Sequence, residues 1–113
     1  MPLDETRQHA NAAYRQRRTS KQAEAAVFAE ANCRLRMAAD AGGQAALRAL
    51  ADNRRLWAAI LGAVTEPTNA LPVPLRAQLA SLAHAVLRET DAPEPDINFL
   101  IETNEAIAAG LWA

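Results

Sequence analysis

A chain of 113 residues is one domain on size alone, able to bury a real but modest core. Its hydrophobic half includes 28 alanines, and aromatics make up only 4%, a composition that suits closely packed helices better than a sheet. Net charge is −1, but residues 1–55 carry ten Lys/Arg against six Asp/Glu, and residues 56–113 two against seven. The halves thus stand at +4 and −5, an asymmetry able to orient a partner or a second copy of the chain. One cysteine, Cys33, excludes an internal disulfide and any multi-cysteine metal site. The polar start MPLDETRQHA is not a secretory signal. The apolar run LWAAILGAV is far shorter than the ~20 residues that cross a bilayer, so no membrane insertion and a cytoplasmic location are expected.

Residues 1–18 read as an N-terminal arm. Ala, Gln and Arg there suit a helix, but Leu3 and Tyr14 are its only bulky apolar residues, so fraying or ordering against a partner is expected. Residues 19–113 form a single helical domain. Its first helix, 20–41, is predicted to start at a capping box, Thr19-x-x-Gln22, and to stop at Gly42-Gly43. At 100° per residue, Val27, Phe28, Ala31, Leu35 and Ala38 share one face. Ala26, Ala29, Cys33 and Met37 fall on the opposite side. The plainer reading is small residues facing water; the sharper one makes these four a partner-binding stripe, since small side chains and a deformable Met adapt to another helix.

The second helix, 44–65, carries Leu47, Leu50, Trp57, Leu61 and Val64 on one face, widened by Leu56 and Ile60. Arg54 lies near the edge of that face and Arg55 points away. Pro67 ends this helix, and Pro72 and Pro74 admit a new one only from about Val73. The third helix, 73–90, turns Leu75, Leu79, Leu82 and Val86 inward and His84 outward. Pro93 and Pro95 close it, and Asp96 caps a fourth helix, 96–111, with Ile97, Leu100, Ile107 and Leu111 on its face. Asn104 sits mid-face and must find partners or cost about 1–3 kcal/mol. A loop carbonyl or amide inside the fold is the expected partner, a ligand the alternative. The fold class is all-α, a compact bundle of four helices with a proline-rich connection between the second and third.

No enzyme emerges. His9 and His84 lie far apart, Cys33 has no histidine near it in sequence, and no phosphate loop, HExxH or GxSxG pattern occurs. No catalytic residue, cofactor or metal is expected. Arg15, Arg17, Arg18 and Lys21 form a cationic cluster suited to a phosphate backbone, but neither an aromatic platform nor a helix-turn-helix pattern accompanies it, so a solvated basic flank is the plainer reading.

The run NRRLWAAILGAVTEPTNALPVPLRAQLASLAHAVLRE resembles the central block of the flagellar biosynthesis regulator family FlaF, which pairs an N-R-x-L-W helix with a P-x-N-x-L-P turn and an L-R-x-Q-L helix. FLIETNEAIAAGL resembles the family's closing helix, and NAAYRQRRTSKQAEAAVFAEANCRL matches more loosely, with Thr19-Ser20-Lys21-Gln22 where the family has S-P-R-E. By position, the recurring motif residues are Asn53, Arg54, Leu56, Trp57, Asn69, Leu71, Pro72, Leu75, Arg76, Asn104 and Ile107, read as structural. The resemblance implies a non-enzymatic cytosolic regulator that promotes flagellin synthesis and export, with flagellin as partner and a FlbT-type regulator or the flagellar export apparatus alongside. On that basis the leading expectation is a flagellin-binding chaperone or adaptor. The alternative is a post-transcriptional regulator contacting flagellin mRNA through the basic cluster, directly or with FlbT.

Overall fold

The computed structural model describes the backbone of residues 3–112 and the side chains of residues 22–110. Four helices follow one another: α1 (Leu3–Ala41), α2 (Gly43–Thr65), α3 (Val73–Thr90) and α4 (Ile97–Trp112). No strand occurs among the described residues, and the fold is an all-α four-helix bundle. The last three helices match the sequence expectation to within a residue. The first does not: α1 begins at Leu3, so Thr19 and Ser20 lie inside it and the capping box does not mark its start. The physical reason is that no proline or glycine interrupts residues 3–41, while Ala, Gln and Arg propagate a helix once it is formed. At 1.5 Å per residue α1 is ~58 Å long, close to the 63 Å longest dimension of the molecule. Leu3, Tyr14, Leu111 and Trp112 fall outside the described side chains, as does the cationic cluster Arg15, Arg17, Arg18 and Lys21.

The glycines and prolines set the order of packing. Gly42 (φ 63°) and Gly43 (φ 60°) occupy the left-handed region, and the Gly42 amide donates to the Ala38 carbonyl at 2.7 Å, folding α2 straight back along α1. After Thr65, Asn69 builds the turn: its Nδ2 donates to the Ala63 carbonyl at 2.9 Å, and its Oδ1 accepts the Leu71 amide at 2.9 Å. Pro72 (φ −56°) then caps α3 and Pro74 occupies its first turn. Asp96 Oδ1 accepts the Phe99 amide at 3.1 Å, the cap expected for the last helix. α1 packs on α2 and α4, and α2 packs on α3. α3 only grazes α4, and among the described residues the backbones of α1 and α3 do not approach each other closely.

The core is small side chains around a few large ones. Leu35, Trp57, Ala83, Val86 and Leu100 are wholly buried, and Ala38 and Ala49 nearly so. Phe28 meets Trp57 edge-on, ring centres 6.1 Å apart at 64°. Through the middle runs a polar layer that joins three helices. Trp57 Nε1 donates to Asn104 Oδ1 at 2.8 Å, and Asn104 Nδ2 donates to Asn32 Oδ1 at 2.9 Å and to Asn53 Oδ1 at 2.8 Å. Asn32 Nδ2 closes onto the Ile101 carbonyl at 3.1 Å. Asn53 and Asn104 are fully buried and Asn32 almost so. Asn104 therefore finds its partners inside the fold, but they are side chains of two other helices rather than loop backbone.

Three residues assigned to buried faces are exposed instead. Leu47 is 67% exposed because the Arg54–Asp91 ion pair (3.1 Å) places the end of α3 level with Arg54, leaving nothing of α3 beside Leu47 two turns earlier. Leu75 is 40% exposed in the first turn of α3, and Val27 is 47% exposed because α3 does not reach α1.

Two predictions follow from the packing and the turn. Asn104→Ala strands the Trp57 donor and two asparagine acceptors and is expected to cost about 3 kcal/mol or more. Asn53→Leu removes the Asn53 Nδ2 amide, which has no acceptor among the described residues, but strands one Asn104 N–H, and should cost about 1–2 kcal/mol. Urea denaturation of both variants checks the order; equal losses would show that Asn104 is not the hub. Asn69→Ala, which removes both bonds of the turn, should lower stability by about 1–2 kcal/mol by the same measurement.

Candidate functional site

Among the described residues α1 and α3 flank α2 with their backbones held apart, and an apolar cleft of about 320 Å³ lies between them over α2. Trp57 and Phe28, both buried, form its floor. Leu56 and Ile60 of α2, Leu79 of α3 and Ile107 of α4 make its half-buried walls, and Val27 and Glu24 of α1 stand exposed at the rim. Each of the four helices thus contributes, and Glu24 is the only charged residue in the lining among the described side chains. Such a cleft has the dimensions and chemistry for one or two apolar side chains of a partner helix. It is stiff at its base, since the Trp57 ring is held by the hydrogen bond to Asn104.

On the same end of the molecule the proline connection presents further apolar surface. Leu71 (38%), Val73 (65%) and Leu75 (40%) are exposed along it. Leu75 lies one turn before the cleft residue Leu79 on α3. Arg76 Nη1 donates to the Glu66 carbonyl at 3.4 Å, tying the first turn of α3 to the end of α2.

The stripe Ala26, Ala29, Cys33 and Met37 is exposed throughout, and none of the four lines the cleft. Met37 borders a separate depression between α1 and α2. The family-motif residues divide into two groups. Asn53, Trp57 and Asn104 form the polar layer, Arg54 pairs with Asp91, and Asn69 and Arg76 shape the turn. Leu56, Trp57 and Ile107 line the cleft, whereas Leu71, Pro72 and Leu75 lie exposed beside it. Asn32 went unsuspected as part of the core. Its position carried the signal, one turn after Phe28 and one before Leu35 on the buried face of α1.

Among the described residues no group of three His, Cys, Asp or Glu is placed to hold a metal ion, and His84 and Cys33 are exposed on helices that do not touch. No described helix is long and apolar enough to cross a membrane. The surface ion pairs, Arg34 with Glu30 and Asp52, Arg55 with Asp52 and Arg36 with Glu105, are solvated and contribute little to stability.

No curated protein and no solved structure matches the chain. A protein-family comparison does match, over residues 6–111, to the family described as flagellar protein FlaF. The match reaches into all four helices and covers all three connections and every described residue of the cleft, and on it the chain belongs to the flagellar protein FlaF family.

Proposed function

We propose that this chain is a non-enzymatic regulator of flagellum biosynthesis that works in the cytoplasm as a flagellin-binding chaperone or adaptor, promoting flagellin synthesis and its delivery to the export apparatus, with a FlbT-type regulator as a further partner. The observation that carries the reading is the open cleft between α1 and α3. Three residues that the family resemblance singles out meet there, Leu56 and Trp57 from α2 and Ile107 from α4. Leu56 and Ile107 are half-buried and face the opening, with Trp57 wholly buried beneath them. An apolar slot with one acidic rim residue suits the apolar face of an amphipathic helix, and holding such a helix requires burial and shape rather than catalysis. Membership of a flagellar family makes flagellin, whose terminal segments the family resemblance implies to be amphipathic, the natural occupant.

The test is binding of purified flagellin to the wild-type chain and to Val27→Glu. Val27 is exposed, so the variant should keep its helicity and melting temperature, while a carboxylate introduced at the mouth of an apolar slot should weaken binding by about tenfold or more. Binding should also change little between low and moderate salt. Unimpaired binding by a folded Val27→Glu would place flagellin elsewhere. Failure of the wild type to bind flagellin, with steeply salt-dependent binding of flagellin mRNA, would favour the post-transcriptional reading.

A further inference from the structure

A second depression, of about 380 Å³, lies between α1 and α2 near the Gly42 turn. It is separate from the cleft. Its deepest residues are Ala38 and Ala49, and Ala38 lies ten residues beyond Phe28, ~15 Å along α1. The asparagine layer intervenes between the two. The floor is alanine, Met37 stands beside it 68% exposed, and a guanidinium comes from each helix, Arg34 from α1 and Arg48 from α2. Asp52 is the only acid in the lining among the described residues, and it is already shared by Arg34 at 3.5 Å and Arg55 at 3.3 Å. Arg48 has no ion pair among the described residues.

We infer that this groove docks an amphipathic helix of a protein partner that carries Asp or Glu beside its apolar face. Each component points the same way. An alanine floor lets a second helix approach closely, and an exposed methionine reshapes itself to an apolar neighbour at small cost. Arg48 on one wall offers a planar donor fork that matches a carboxylate, while Arg34 on the other is already paired with Glu30 and Asp52 and adds positive charge rather than an unengaged fork. A basic helix would instead meet two guanidinium groups and one carboxylate that is already occupied. Nucleic acid fits worse, because no lining residue is aromatic and the apolar floor has nothing to gain beneath a phosphate backbone. The inference does not depend on what fills the apolar cleft, and the two sites are far enough apart to be filled together. A chain built this way holds one partner by apolar burial and another by charge.

The chain contains two methionines, Met1 and Met37, so methyl labelling gives a local probe of the groove. The full-length protein is titrated with amphipathic helical peptides of about 18 residues that are identical except for Glu or Lys at the polar positions flanking the apolar face. The Glu peptide is expected to shift the Met37 methyl resonance saturably and the Lys peptide to leave it in place. Arg48→Glu, at an exposed position, should retain its circular dichroism and bind the Glu peptide at least about tenfold more weakly, and Arg48→Gln should fall between. The proposal is overturned if the Glu peptide leaves Met37 unshifted. It is equally overturned if Glu and Lys peptides bind alike, or if folded Arg48→Glu binds the Glu peptide as the wild type does. A uridine oligonucleotide that shifts Met37 at lower concentration than the Glu peptide would assign the groove to nucleic acid instead.

Discussion

The amide of Asn104 ties together three of the four helices, and the positions of the rest follow from what it can reach. A buried primary amide has to place two donors and an acceptor, and here one side chain on α4 spends them on Trp57 and Asn53 of α2 and Asn32 of α1. Apolar contacts alone tolerate sliding, because an alanine-rich surface looks much the same one turn further along. Hydrogen bonds with fixed donor and acceptor ends do not. A polar layer inside such a core therefore sets the register of α1, α2 and α4 in a way that alanine and leucine cannot, at the cost of dehydrating three amides. α3 takes no part in this layer. It is positioned by the proline connection and by burial of Ala83 and Val86, and that separate anchoring is why it stops short of α1.

Much of this could be read from the sequence, and the failures share a cause. Three helices and their ends follow from glycine, proline and aspartate, residues whose backbone effect is local and does not depend on what packs nearby. Trp57 at the centre, the capping role of Asp96 and the outward His84 likewise need only periodicity. Val27, Leu47 and Leu75 were misplaced because periodicity names a face without saying how far the neighbouring helix extends along it. The start of α1 was misread because a capping box is informative only where something ends the preceding helix, and no breaker lies between Leu3 and Thr19.

The cleft itself was not legible in that way. Its floor residues were all recognised as core, and they are core: Trp57 and Phe28 are buried. What leaves part of a core open is a missing neighbour, and the separation of α1 from α3 among the described residues is a property of the tertiary arrangement. Asn32 was hidden for the complementary reason. A single asparagine on an alanine-rich helix reads as surface until a second and third asparagine are found facing it from other helices.

Trp57 belongs to both systems, and that double membership constrains how the cleft can behave. One edge of its indole is fixed by the bond to Asn104, another packs against Phe28, and the remaining surface floors the cleft. A partner side chain that pushed the ring aside would break the hydrogen bond and strand Asn104 in the core, a penalty comparable to the gain from burying one apolar residue. The cleft floor is consequently rigid, and adaptation has to come from its rim, where Val27 is exposed and Leu79 and Ile107 are half-buried. The polar layer thus does more than set helix register: by holding the Trp57 indole it also fixes the base of the cleft.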